Sequence, residues 1–180
     1  MNYIPISNWP NIPDDIYLKE ATSVATDSKD NVYIFNRGEI PVLVFSDDGK
    51  LIDSWGKGEF VRPHGIFIDQ NDILYLVDDG GHFLKKCTKE GKLLMTIGNP
   101  GNPTEWQKGG YFNRPTDATI DSDGFLYISD GYGNSRIHKF DQEGKHITSW
   151  GRPGTEPGDF NLPHNICLVD DKYLWVCDRE

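Results

Sequence analysis

The strongest constraint on this chain is that it spells the same pattern of strands and turns four times, from Ala21 to Gly56, Pro63 to Gly98, Pro115 to Gly151 and Pro163 to Glu180. Each copy opens on a short apolar stretch that ends in acid: Val24-Ala25-Thr26-Asp27, Ile66-Phe67-Ile68-Asp69, Ala118-Thr119-Ile120-Asp121 and Ile166-Cys167-Leu168-Val169-Asp170. After a few polar turn residues comes a second alternating run, as in Val32-Tyr33-Ile34-Phe35, Leu74-Tyr75-Leu76-Val77, Leu126-Tyr127-Ile128-Ser129 and Leu174-Trp175-Val176-Cys177. Two such runs across a polar turn make a hairpin. A third run leads to Asp48-Gly49-Lys50, Glu90-Gly91-Lys92 or Glu143-Gly144-Lys145, turns in which glycine accepts positive φ at little cost. The fourth run closes on Ser54-Trp55-Gly56, Thr96-Ile97-Gly98 and Ser149-Trp150-Gly151.

Four short antiparallel strands in a repeat of about forty to fifty residues form one blade of a β-propeller, and a blade is covered only when its neighbours stack around an axis. The expected fold is therefore all-β, a single partial β-propeller domain over 1–180. Its blades fall at approximately 21–56, 63–98 and 115–151, with an incomplete one at 163–180. A helical solenoid is the weaker reading, because no stretch holds a helical period free of Gly and Pro. The last copy stops after its second strand. An open ring would leave an unpaired edge, so the natural product is expected to be longer. The repeat is stretched by Asn99 to Asn113, a Gly- and Pro-rich segment expected to sit on one rim and shape a binding site.

A formal charge of -10 and the lack of a basic stripe argue against nucleic acid as a partner. No apolar run is long enough to span a membrane. The start, Met1-Asn2-Tyr3-Ile4-Pro5, has no signal-peptide pattern, so cytoplasm is the expected compartment. Cys87, Cys167 and Cys177 form no Cys-x-x-Cys pair and are expected to be small core residues.

The residue after the opening proline is His64 in the second copy, Thr116 in the third and His164 in the fourth. Equivalent positions lie at one height around a propeller axis, so two imidazoles from alternate blades would share one small space, a geometry that suits a metal. His82, His138 and His146 are expected to be solvated surface groups. The loops after the second strands carry Asn36-Arg37-Gly38-Glu39, Asp78-Asp79-Gly80-Gly81, Asp130-Gly131-Tyr132-Gly133-Asn134 and Asp178-Arg179-Glu180. A purely structural account has Asp and Asn capping these turns and the arginines forming inter-blade ion pairs, and it is the favoured one for Asp130 and Asp178. Tyr132, between two glycines, is not explained by turn chemistry and could act as acid or base beside a metal.

Taken together, Phe35-Asn36-Arg37-Gly38-Glu39, Arg62-Pro63-His64-Gly65, Asn113-Arg114-Pro115-Thr116-Asp117, Ser129 through Arg136, Leu162-Pro163-His164 and Asp178-Arg179-Glu180 resemble the NHL-repeat propellers. Within them the pattern resembles the peptidyl-α-hydroxyglycine α-amidating lyases and their microbial relatives. The resemblance runs from about Ala21 to the end and implies about three and a half four-stranded NHL-type blades of a six-bladed ring. It also implies a zinc-dependent lyase that splits a peptidyl-α-hydroxyglycine, or a similar carbinolamide, into an amide and glyoxylate. His64 and His164 would be two zinc ligands and Tyr132 the catalytic base, with Arg37 and Arg179 on the substrate carboxylate or developing charge. A structural calcium of the family would correspond to the backbone carbonyls of Val24 and Ile66. The family's third histidine would lie beyond Glu180, and Gly133 stands where secreted animal members carry cysteine. The implied partner is a small-molecule or peptide substrate. The other reading is a non-catalytic propeller that presents its rim to a protein or carbohydrate.

Overall fold

The computed structural model describes residues 3–180 and contains four antiparallel sheets. Blade one holds β1 (Ala21–Thr26), β2 (Val32–Asn36), β3 (Val42–Phe45) and β4 (Leu51–Trp55). Blade two holds β5 (Pro63–Ile68), β6 (Leu74–Asp78), β7 (Phe83–Cys87) and β8 (Leu93–Gly98). Blade three holds β9 (Asp117–Ile120), β10 (Leu126–Asp130), a single helical turn α1 (Gly131–Asn134), β11 (Arg136–Phe140) and β12 (His146–Trp150). Blade four is the hairpin of β13 (Pro163–Val169) and β14 (Tyr173–Asp178). Within each sheet the strands lie in chain order, and the first strands β1, β5, β9 and β13 pack side by side along the axis. This is an arc of a β-propeller. No helix among the described residues is long and apolar enough to cross a membrane.

Each turn and strand end repeats its chemistry. The acid that ends the first strand accepts turn N–H groups and a tyrosine hydroxyl two turns of pleat later: Tyr33 on Asp27 at 3.4 Å, Tyr75 on Asp69 at 3.3 Å and Tyr127 on Asp121 at 3.0 Å. A buried or half-buried phenol needs such a partner. At the other end of the hairpin, the acid closing the second strand catches the loop that enters its own blade. Asp78 accepts from Val61 and Arg62 N–H, Asp130 from Asn113 N–H and Asp178 from Asn161 N–H. These carboxylates are structural.

The core lies in the seams between blades. Phe35, Val42 and Val44 of blade one pack on Ile66, Leu74 and Leu76 of blade two, with Trp55 against the edge of the cluster. Tyr75, Leu84 and Ile97 of blade two pack on Leu126, Ile128 and Phe140 of blade three around Phe112. Burying each such side chain contributes roughly 1.5–3 kcal/mol, which a lone blade could not obtain. Ahead of blade one, Trp9, Ile16 and Leu18 cover its other face, and the Trp9 indole donates to Asp47 O at 3.0 Å.

Three expectations differ from what the coordinates show. His138 is fully buried rather than solvated, between Ser149 Oγ at 2.7 Å and Asp130 Oδ2 at 3.3 Å, with the Tyr111 and Phe112 rings against it. His82 and His146 are only partly exposed. Of the cysteines, Cys87 is in the core, but Cys167 and Cys177 on blade four are exposed, because blade three covers only one side of that hairpin.

Candidate functional site

The repeat brings the second residues of β5 and β13 to the same end of the axis. The His64 and His164 rings meet edge to face with centroids 4.8 Å apart. Thr116, the equivalent residue of blade three, stands between them. Its carbonyl is 2.7 Å from His64 Nδ1, and its hydroxyl donates to Pro163 O at 3.0 Å, beside His164. A carbonyl can only accept, so His64 carries its proton on Nδ1 and leaves the Nε2 lone pair free. His164 is held in the same tautomer through a longer chain. Asn165 Nδ2 donates to Asp117 Oδ2 at 3.2 Å, which turns Oδ1 toward His164 Nδ1 at 2.9 Å.

Both free nitrogens point at one atom. Tyr132 Oη lies 3.2 Å from His64 Nε2 and 3.0 Å from His164 Nε2. A phenol has one proton, so it can serve only one of two acceptors. Three lone-pair donors therefore converge with a single hydrogen among them, which is the electron-rich arrangement a cation relieves. Burial lowers the His64 pKa to about 4, so the ring is the neutral imidazole that a metal requires. Among the described residues no group of three or more His, Cys, Asp or Glu could hold a metal; the donors present are two imidazoles and a phenol.

The glycines on either side of Tyr132 have a steric cause. A Cβ at Gly131 would collide with Pro163 O, and one at Gly133 with the Asn113 side chain and carbonyl. The turn is threaded between blades three and four, and the long loop ties it down. Gly133 N–H donates to Asn113 O at 2.9 Å and Gln107 N–H to Gly133 O at 2.7 Å. The Asn99 to Asn113 segment thus shapes the site by holding the tyrosine turn, while its own Phe112 is buried in the core.

Two guanidiniums lie over the tyrosine ring, Arg114 at 4.3 Å and Arg179 at 5.7 Å from the centroid. Arg179 is exposed at the rim and pairs with Glu180 at 2.8 Å. Arg37 is farther off: it pairs with Glu20 at 2.7 Å and donates Nε to Pro63 O at 3.2 Å, next to His64. Val24 and Ile66 occupy equivalent places on the adjacent inner strands β1 and β5, opposite Ile34 and Leu76.

The sequence reasoning missed three polar residues here. Asp79 is fully buried, with Oδ2 accepting from Arg62 at 2.7 Å and Arg114 at 2.9 Å. Its signal was an acid at the repeat position where blades one and four carry Arg37 and Arg179. Arg114 had no signal of its own. Asp117, which also accepts from Ile166 N–H at 3.1 Å, has its pKa raised to about 6 by burial.

Blades of four antiparallel strands in chain order, with their first strands along an axis and histidines at one end of it, define a β-propeller with an axial site. The chain belongs to the 6-bladed beta-propeller family, whose model matches residues 11–102, just over half of the chain. The NHL repeat model matches residues 112–140. The Caenorhabditis elegans protein named "Probable peptidyl-alpha-hydroxyglycine alpha-amidating lyase pgal-1" is 36% identical over 143 residues, covering 77% of this chain and 40% of that protein. NHL repeat-containing protein 3 of Mus musculus is 35% identical over 184 residues, covering 95% of this chain and 52% of that protein. Virginiamycin B lyase from Staphylococcus aureus superposes with a TM-score of 0.67 at 16% identity, over 90% of this chain and 50% of that one, a likeness of fold alone. The chain thus spans about half or less of each of these relatives.

Proposed function

We propose that the full-length protein is a zinc-dependent lyase that opens a peptidyl-α-hydroxyglycine, or a similar carbinolamide, to an amide and glyoxylate. The observation that carries this is the convergence of His64 Nε2 and His164 Nε2 on Tyr132 Oη with one proton among them. The donors fit zinc, which takes neutral imidazole nitrogen and leaves a position for substrate. Similarity to proteins named as α-hydroxyglycine amidating lyases supports the same chemistry.

His64 and His164 would hold the metal, which when bound supplies Lewis-acid polarisation of the substrate hydroxyl oxygen. Tyr132, as the phenolate left once its own proton has gone to solvent, would take that hydroxyl proton at Oη as the carbon–oxygen double bond forms and the carbon–nitrogen bond breaks, and would pass it to the departing nitrogen to give the amide. Arg179, at the exposed edge of the tyrosine, binds the carboxylate that becomes part of glyoxylate, and Arg37 contributes positive charge from beside Pro63. Thr116 and Asn165 hold the two rings in the tautomer the metal needs. A structural calcium on the carbonyls of Val24 and Ile66 belongs to the same proposal. It is supported by the equivalent places of these residues on inner edge strands, where some backbone oxygens have no strand partner.

The test is glyoxylate release from a hydroxyhippurate-type substrate by the full-length protein with zinc. Release is expected, with loss in Tyr132→Phe. No release from zinc-saturated protein rejects the reading. Similarity to NHL repeat-containing protein 3, whose name states no activity, favours the second reading, a binding scaffold. That reading expects no glyoxylate and no response to His64→Ala.

A further inference from the structure

The seam between blades two and three departs from the repeat at three places, and the departures coincide with a cavity of about 460 Å³. At the end of the fourth strand, opposite Val42, Leu84 and Ile137, stand Trp55, Ile97 and Trp150. In the seam of blades one and two, the Trp55 ring lies against Gly91 of the next blade. In the seam of blades two and three the indole is replaced by Ile97, which faces Gly144 with Met95.

A polar clasp is missing from the same seam. Ser28 of blade one donates its N–H and hydroxyl to Asp72 of blade two, both at 2.8 Å. Ser122 of blade three makes the same pair of bonds to Asp171 of blade four. Between blades two and three Gln70 stands in place of the serine, with Gly124 at the position of Asp72 and Asp123 at that of Asp171, and no side-chain bond joins Gln70 to either. Where the indole and the clasp are present, the seam of blades one and two keeps a pocket of about 180 Å³. Where both are absent, a cavity of about 460 Å³ opens. It adjoins Asp69 at the far end of β5 from His64, roughly 16 Å away at the rise of an extended strand.

The geometry points to this cavity as a second small-molecule site, for an organic cation with a flat aromatic body. The walls are Phe67, Tyr75, Leu84, Met95, Ile120 and Leu126, an aromatic and thioether surface suited to stacking. The space left by the repeat's missing indole has room for an aromatic ring, and its apolar wall offers such a ring a stacking surface. The mouth selects charge. Asp69, Asp121, Asp141 and Asp171 face it against Lys86, whose ammonium is held 5.5 Å over the Tyr75 ring. A ring with a short ammonium arm would leave its body among the apolar walls and its charge among the carboxylates.

The experiment is a calorimetric titration of the full-length protein with tryptamine and, separately, with indole-3-propionate, an anion of similar shape. Saturable one-to-one binding of tryptamine is expected, with the anion weaker by about tenfold or more. Ile97→Trp, which restores the repeat residue, abolishes it. The double substitution Gln70→Ser, Gly124→Asp restores the clasp and weakens it. That second variant decides the matter should the first fail to fold. Asp72, the residue of blade two equivalent to 124, takes positive φ with a side chain, and a Cβ at residue 124 meets the Gln142 side chain, which must shift. Tyr132→Phe leaves tryptamine binding unchanged. The inference is overturned by no saturation with tryptamine, by equal affinity for the anion, by wild-type binding in the folded cavity variants, or by loss in Tyr132→Phe.

Discussion

The imidazoles of His64 and His164 touch edge to face at 4.8 Å although a whole blade separates their strands. The repeat is the cause. Both rings occupy the second position of a first strand, the smaller Thr116 holds that position in the blade between, and curvature about the axis closes the gap. Contact between two unprotonated Nε2 atoms and one phenol is not a favourable core arrangement in itself, since one acceptor is left without a hydrogen.

Zinc retention follows from this geometry. The full-length protein is expected to retain zinc through dialysis, and His64→Ala or His164→Ala to weaken binding by more than about tenfold. Tyr132→Phe keeps the imidazoles and is expected to retain metal while losing turnover. Atomic-absorption analysis of the dialysed variants checks this, and metal content indifferent to both histidines would count against a shared site.

The histidine pair was legible in the sequence because the Pro-His dipeptides sit in register with the repeat, and register fixes height on the axis. Tyr132 stood out because Gly-Tyr-Gly makes no sense as turn chemistry, although the reason for its glycines, collision with Asn113 and Pro163, depends on neighbours distant in the chain. His138 was misjudged for the same reason. Alternation placed it on an outer strand, and only the packing of Tyr111 and Phe112 from the long loop buries it. Cys167 and Cys177 alternate as core residues do, but burial of a blade face is decided by the adjacent sheet and cannot be read from the strand itself.

Stability of the metal-free protein should respond to pH through two opposed groups. His64 titrates near 4 when folded, below the value of about 6.5 in an unfolded chain. The unfolded state therefore binds more protons between those values, and stability is lost as pH falls through that window. Asp117 is shifted the other way, to about 6. Its folded state holds the extra proton, so stability is lost as pH rises from about 4 to 6. The effects offset one another over that range. Asp117→Asn removes one of them: the variant is expected to gain up to about 3 kcal/mol at pH 8 relative to wild type and little at pH 4. Urea denaturation at both pH values measures it, and an equal change at the two would contradict the assignment.

The tyrosine turn should tolerate no side chain beside Tyr132. Gly133→Ala forces a methyl into the Asn113 carbonyl, a backbone atom that cannot swing aside. The expected loss is about 1–3 kcal/mol, with a lowered melting temperature. Gly158→Ala is the comparison: Gly158 takes positive φ, which Gly133 does not, and has nothing within 4 Å, so its loss reflects backbone strain without collision. Should Gly133→Ala prove the milder of the two, threading of the turn between the blades is not what fixes Tyr132.

Asp79 connects the site to the scaffold, and the arginines around it should behave non-additively. Its carboxylate is fully buried and is served by Arg62 and Arg114 on the same oxygen, both of them partly exposed. Removing one arginine leaves the other in place, so Arg62→Ala and Arg114→Ala are each expected to lose about 1–2 kcal/mol. Removing both strands an uncompensated charge in the interior, which typically costs about 3–5 kcal/mol. A double-mutant cycle by chemical denaturation therefore gives a double loss larger than the sum of the singles. Additive losses would mean that solvent reaches Asp79 once either arginine is gone, and that the carboxylate does not depend on this pair for its place beside Arg114.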